Sequence, residues 1–320
     1  MSTTEKPAAS VYERISAAVL KMIETENYVP WRKPWRASES GDKAFSPLLN
    51  KWSRAGRVYS LLNCLLLEKE GEYITFKQCR TEGGHVLKGS KAEYVYFYSR
   101  LYWDENGRRI SEADYKALPN PERLLARKKS FLKSYPVFHV ETQTDLTPQK
   151  RTAFPAPAPK PEDGPAPEEN AAAENVIRAY VEREKIEVVY GGDSAFFRHG
   201  PAIPDLIQIP ARTQFAAASE YYSTHFHEMT HSTGTAARLN RGFGTRFGDH
   251  AYSREELVAE FGAALSLARL GMQEERTEAN SAAYLANWAK ALKGEEGGKM
   301  LVKACSEAEK AVKYIFGDAA

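Results

Sequence analysis

From Phe154 to Glu168 the chain reads Phe-Pro-Ala-Pro-Ala-Pro-Lys-Pro-Glu-Asp-Gly-Pro-Ala-Pro-Glu. Each proline fixes φ and removes an amide donor, so the stretch cannot enter a helix interior or a central strand and favours extended polyproline backbone. The chain must therefore organise itself on either side, as residues 1–150, a linker at 151–171, and residues 172–320. Its 320 residues, 42% hydrophobic and 27% charged, give each side enough material for a core of its own. No internal repeat is visible. The three cysteines, Cys64, Cys79 and Cys305, fit neither a disulfide framework nor a Cys-x-x-Cys knuckle and read as buried thiols.

No run reaches the roughly eighteen uninterrupted apolar residues of a membrane helix. Met1 to Ala9 also lacks the apolar core of a signal peptide. The expectation is a cytoplasmic protein with no membrane partner. The net charge of +2 hides an asymmetry: residues 1–150 hold 25 Lys+Arg against 18 Asp+Glu, and the remainder holds 19 against 24. A basic first half suits a polyanionic partner.

Periodicity predicts an α+β first domain. Ser10 and Glu13 have capping-box spacing ahead of the stripe Val11, Ile15, Val19, Met22 and Ile23, a helix to about Thr25. Tyr59 to Leu67 reads as a second helix, and Thr75 with Gln78 caps a short third. His85 to Leu87, Glu93 to Tyr102 and Tyr135 to Val140 read as strands, with a turn at Lys88 to Lys91. The second domain is predicted to be mainly helical with a small sheet. A helix begins near Ala172, and strands follow at Ile186 to Tyr190, Ala195 to Arg198 and Leu206 to Ile209. Helices are then expected at about Gln214 to Ser232, Arg254 to Leu270, Ser281 to Leu292 and Gly298 to Phe316, with Gly234 closing the first of them.

Inside that first helix lies His227-Glu228-Met229-Thr230-His231. A spacing of four puts both imidazoles on one face, a turn apart, where two nitrogens can grip one ion. Glu228 flanks the same face as a candidate general base for water on the ion. His225 is two residues away, points elsewhere, and reads as an ordinary polar histidine. A catalytic zinc site takes a third protein ligand and keeps one position open. Glu256 and Glu260, one turn apart on the next helix, are the candidates, one to ligate and the other to orient a histidine, with Glu255 as the remaining choice. Ser253 and Glu256 also have capping-box spacing, which would tie Glu256 to a helix start instead. Zn2+ is the expected ion, although the same donors accept Mn2+ or another divalent cation.

Trp31-Arg32-Lys33-Pro34-Trp35-Arg36 interleaves flat rings with cations in a proline-stiffened loop, as stacking on unpaired bases requires. Tryptophans in such loops also serve as core anchors. Arg54, Arg57, Lys77, Arg80, Lys88 and Lys91 extend the charge, and residues 30–101 hold 13 basic against 7 acidic positions. That balance favours nucleic acid.

Both halves together resemble the ArdC-type antirestriction family, whose N-terminal domain is shared with TraC-type plasmid primases. In the first half the resemblance rests on Pro30 to Trp35, Tyr59 with Asn63, Ile74 to Gln78, Gly83 to Gly89, Pro136 to Phe138, and Gln143-Thr144. In the second it rests on Asp205 to Ile207, Tyr221-Tyr222, His227 to His231 with Thr233-Gly234, Arg238-Leu239, Tyr252 with Glu255 to Glu260, and Ala283-Tyr284 with Trp288. It implies a single-stranded-DNA-binding first domain and a zincin-like metallopeptidase domain that together protect incoming mobile DNA from host restriction. His227 and His231 would be ligands, Glu228 the base, and Glu256 the third ligand with Glu260 as alternative. Trp31, Arg32, Lys33, Trp35, Arg57, Tyr59, Asn63, Lys77 and Lys88 would meet DNA. Two departures stand out: Ser232 replaces a tryptophan common after the second histidine, and Tyr59-Ser60-Leu61 replaces a Tyr-Arg-Gly stretch. Besides a protein or peptide substrate for the second domain, the sequence leaves open a non-catalytic DNA-binding module with that domain as scaffold.

Overall fold

Ser10 and Glu13 form the capping box their spacing predicts, the Ser10 amide donating to Glu13 at 2.7 Å and the Glu13 amide to Ser10 Oγ at 3.2 Å. The helix they start, Val11–Glu26, buries Ile15, Val19 and Ile23. The structure is a computed structural model and describes residues 10–26, 36–37, 44–45, 48–149, 169–200, 203–215, 217–241, 250–272 and 282–318. The fold is mixed α+β. Its contacts define two compact units, residues 1–72 with 148–320 and residues 73–147. Compactness thus follows a different division from the proline run, because Val11–Glu26 packs on the last helix, Gly294–Phe316.

That packing depends on a glycine. A Cβ at Gly298 would meet the Tyr12 carbonyl oxygen at 2.0 Å, so a side chain there would push the two backbones apart. Ser16 Oγ donates to the Leu292 carbonyl at 2.5 Å beside the contact. The short helix Leu61–Leu66 joins the same core. Its first amide, Leu61, donates to Glu309 at 2.5 Å, and Lys51 Nζ donates to the carbonyls of Cys64 and Leu67 at its far end. A carboxylate at the N-terminus and an ammonium at the C-terminus are the charges a helix dipole favours. Cys64, Cys79 and Cys305 are buried thiols, as the sequence suggested, and burial pushes Cys64 up to about 12.

The remainder of this unit carries the histidine motif. A three-stranded sheet has Ile203–Ile209 at its centre, parallel to Glu187–Tyr190 and antiparallel to Phe196–Gly200. Helix Ala171–Glu184 starts on Asn170, which accepts from the Ala173 amide at 3.0 Å, and ends at Lys185 in the left-handed region. Ile177, Tyr180, Ile207, Ile209, Tyr222, Phe226, Met229 and Leu267 fill the core between these elements and the motif helix, Ala218–Ser232. Gly234 does not close that helix as expected. Thr233, whose amide reaches Met229 O and Thr230 O and whose hydroxyl donates to Thr230 O, closes it instead, and Gly234 keeps negative φ.

The helix His250–Arg269 lies against the motif helix. A Cβ at Gly262 would stand 2.3 Å from Thr230 Oγ1 and 2.6 Å from its Cγ2, so the absence of a side chain lets the helices approach closely. Gly262→Val overpacks this contact and is expected to lower stability by about 1–3 kcal/mol. A denaturant midpoint equal to wild type would refute the close approach.

In the second unit, Thr75 caps Phe76–Thr81 with Gln78 as predicted. Val86 makes one isolated bridge to Thr144, and the expected strand at His85 to Leu87 does not form. Glu93–Trp103 is a strand as expected. Its partner is far longer than Tyr135 to Val140, running Arg127–His139, and the two pair in antiparallel register from Glu93↔Val137 to Trp103↔Arg127. Short helices Glu112–Ala117 and Asn120–Leu125, unforeseen in the sequence, stand between the strands.

Candidate metal centre

His227 and His231 emerge from one face of the motif helix with their Nε2 atoms 3.1 Å apart. Glu256, from the facing helix, places one carboxylate oxygen 3.6 Å from His227 Nε2 and the other 3.6 Å from His231 Nε2. Donors about 2.0–2.1 Å from one tetrahedral ion would lie roughly 3.3 Å from one another. The observed triangle brackets that value, so the donor set fits a divalent ion. Among the described residues, this is the one group of three or more His, Cys, Asp or Glu side chains that could hold a metal.

Glu255 adds the orienting element. Its carboxylate lies 3.3 Å from His231 Nδ1, so one nitrogen of His231 faces the donor triangle while the other faces an acceptor. Such an arrangement fixes ring orientation and raises the basicity of a ligating histidine. Arg241 holds Glu255 in turn, donating to both of its oxygens at 2.6 and 3.1 Å, to Thr233 Oγ1 at 2.6 Å and to the Thr230 carbonyl at 2.7 Å. Burial alone would raise the Glu255 pKa, yet the hydrogen bonds from His231 and Arg241 outweigh it and hold the group below its ordinary value. The sequence reading had assigned the orienting part to Glu256 or Glu260 and had not singled out Arg241. An ion pair between residues 14 apart, across a segment with no periodicity of its own, leaves no short-range signal. Glu260 acts on His227 through its charge but is outside the donor triangle. Removing the acceptor's charge in Glu255→Gln is expected to weaken metal affinity about 10- to 100-fold. Competition with a chromogenic chelator measures this, and unchanged affinity would refute the orienting role.

The capping-box alternative for Glu256 also resolves. The helix already begins at His250, three residues before Ser253, so there is no helix start at Ser253 for Glu256 to serve.

Glu228 is 7% exposed and stands beside the triangle. Burial raises its pKa above the usual carboxylate range, although the charges of His227 and His231 and a hydrogen bond from the Phe197 backbone pull it down. Phe197 belongs to the sheet strand Phe196–Gly200, so sheet and helix together position this carboxylate. His225 is fully buried among Tyr190 and Tyr221, and burial lowers its pKa to about 4. It is a neutral core histidine, as its position suggested. Ser232, in place of the family's tryptophan, is fully buried and pairs with Tyr180 Oη at 2.7 Å. Behind it Arg238 bridges Glu184, Asp205 and the Ser232 carbonyl at 2.7–2.9 Å.

The expected nucleic-acid residues divide into three groups. Trp31, Arg32, Lys33 and Trp35 lie outside the described residues. Arg57 in the first unit and Lys77 and Lys88 in the second are at the surface. Tyr59 and Asn63 are a correction: they are 9% and 0% exposed, so their side chains belong to the packing around Leu61–Leu66 and not to an outer face. No described helix is long and apolar enough to cross a membrane.

Residues 9–138 match the family model for the N-terminal domain of anti-restriction factor ArdC, and residues 174–307 match that for a zincin-like metallopeptidase. Two Escherichia coli proteins named DNA primase TraC are 29% and 27% identical over 97% and 99% of the chain. The chain spans 20% and 28% of their lengths. The protein y4eC of Sinorhizobium fredii is 25% identical over 98% of the chain and 93% of its own length. Crystal structures of antirestriction ArdC from plasmid R388, one metal-free and one Mn(II)-bound, superpose with a TM-score of 0.65 at 24% identity. They cover 96% and 97% of the chain, and 96% and 98% of their own chains are covered, which establishes a shared fold.

Proposed function

From a chain that belongs to the ArdC-like family, with an ArdC-type N-terminal domain followed by a zincin-like metallopeptidase domain, we infer an antirestriction protein that binds single-stranded DNA and cleaves peptide bonds at His227, Glu228, His231 and Glu256. The observation that carries the reading is the donor triangle of two imidazoles and one carboxylate with a buried fourth carboxylate, Glu228, beside it. The family relationship extends it to DNA. The R388 structure with Mn(II) and the zincin-like domain support a divalent metal for this fold, and zinc is our choice because imidazole and carboxylate donors at these separations match its tetrahedral preference.

When bound, such an ion would polarise a scissile carbonyl and lower the pKa of water at the site. His227, His231 and Glu256 would hold it. Glu255, fixed by Arg241, keeps the His231 ring turned toward the triangle. The Glu228 carboxylate takes a proton from water and returns it to the departing amine, and burial favours its holding that proton by raising its pKa above the ordinary value. Residues of the ArdC-type domain hold the single strand, which brings the second domain to incoming DNA.

The test is establishment of an unmodified plasmid in a restricting host that expresses the chain. We expect more transconjugants than without it, and the same gain should be missing with Glu228→Gln. Equal establishment with and without the wild-type chain would overturn the reading.

A further inference from the structure

The paired strands Glu93–Trp103 and Arg127–His139 form a ribbon whose two faces differ. On one face Tyr96, Leu132 and Tyr102 are 8%, 7% and 4% exposed, and Tyr102 packs on Tyr115 of Glu112–Ala117 with ring centres 4.6 Å apart. The same face also carries Tyr94 and Tyr98, 45% and 55% exposed. Side chains alternate along a strand, so the other face carries Phe97, Ser99, Leu101 and Trp103 across from Lys133, Phe131, Lys129 and Arg127. Tyr135 follows at its inner end. Phe97 and Tyr135 are 45% and 37% exposed, and their rings meet edge to face at 5.9 Å. Lys133 Nζ lies 4.9 Å from the Tyr135 ring centre, and the Arg127 guanidinium lies 5.5 Å from that of Trp103.

Cross-strand aromatic pairs stabilise any ribbon, and that accounts for part of the pattern. It does not account for the charge. Strands Glu93–Trp103 and Arg127–His139 contain five basic side chains, Arg100, Arg127, Lys128, Lys129 and Lys133, of which Arg127, Lys129 and Lys133 share the Phe97 face, against one acidic side chain, Glu93, at the end of that face. Rings and cations alternate along the strip at two-residue steps of roughly 6.8 Å. Flat apolar faces interleaved with an excess of positive charge are complementary to a polyanion whose bases are unstacked, and not to a duplex, whose base faces are inaccessible.

We propose that this ribbon face, built from Phe97, Tyr135, Phe131, Trp103, Lys129, Lys133 and Arg127, is the platform on which single-stranded DNA stacks. The inference rests on the DNA-binding reading above and gives it a surface on the second compact unit, built from residues other than those named from the sequence. Bases lie against Phe97, Tyr135 and Trp103, and Lys129, Lys133 and Arg127 take the phosphates.

The test uses the full chain and a fluorescein-labelled oligothymidylate, with binding followed by anisotropy as salt is raised. Phe97→Leu and Tyr135→Leu keep apolar bulk but remove the ring, and each is expected to weaken binding roughly 5- to 150-fold. Lys129→Ala with Lys133→Ala should weaken binding and make the salt dependence shallower by about one phosphate per lysine. Ultraviolet cross-linking of the same oligonucleotide to the unaltered chain, read by mass spectrometry, should recover peptides carrying Phe97 or Tyr135, a readout that does not depend on any variant folding. Wild-type binding with undiminished affinity in all the variants, and cross-links elsewhere, would overturn the ribbon while leaving the DNA reading intact. No binding by the wild type would overturn both. Tighter binding of oligouridylate, of duplex or of polyglutamate than of oligothymidylate would overturn the assignment of this face to single-stranded DNA.

Discussion

Glu228→Gln is expected to retain one divalent ion per chain and to reduce ion-dependent peptide hydrolysis about 100- to 10,000-fold, the range general-base catalysis contributes. Glutamine has nearly the same volume and keeps a carbonyl oxygen that can accept from the Phe197 backbone, so the packing around this 7% exposed side chain survives. What it cannot do is accept a proton. Because Glu228 is outside the triangle of His227, His231 and Glu256, the ion has no reason to leave. Metal analysis and hydrolysis of a labelled protein, measured on the same preparation, separate the two effects. Hydrolysis at the wild-type rate would remove Glu228 from the mechanism, and loss of the ion would make it a ligand.

His231→Ala should have the opposite profile. It deletes the donor 3.1 Å from His227 Nε2 and also leaves the Glu255–Arg241 pair with nothing to orient. Two donors on separate helices then remain, and stoichiometric metal should be lost. The thermodynamic signature is specific. A ligand at 100 times its dissociation constant stabilises the folded state by about 2.7 kcal/mol, which for a chain of this size is roughly 4 °C in the melting temperature. A chelator should lower the wild-type melt by that amount and leave His231→Ala unmoved. A variant whose melt still responds to chelator would show that the ion is held elsewhere.

The pairing of His227 with His231 was legible in the sequence because an α-helix converts a spacing of four into a shared face. Glu256 was legible as one of a small set on the next helix. Choosing within that set needed the helix start, which the Ser253 spacing misplaced by three residues, and the approach of two helices at Gly262, which is a fact of packing. Glu255 looked equivalent to its neighbour until Arg241 and His231 gave it partners. In the other unit, Arg127 to Ser134 drew no assignment from the sequence because charge and serine mask its alternation, and pairing with Glu93–Trp103 makes it a strand. Tyr59 and Asn63 failed in the other direction: a resemblance marks positions as shared without distinguishing a surface contact from a core one, and these two are core.

The contact of Val11–Glu26 with Gly294–Phe316 has a further consequence for how this molecule can be taken apart. Because the earliest helix is a structural member of the unit that bears the histidine motif, severing the chain at its prolines would strip that unit of a wall and uncover Gly298, which sits against the Tyr12 backbone. Residues 73–147 behave instead as a cassette, entered after Glu72 and left before Pro148. Exchange at those two joints would leave Val11–Glu26 on Gly294–Phe316 and would carry the proposed nucleic-acid surface with it, provided the incoming segment completes the strand Gly71–Ile74 that straddles the first joint.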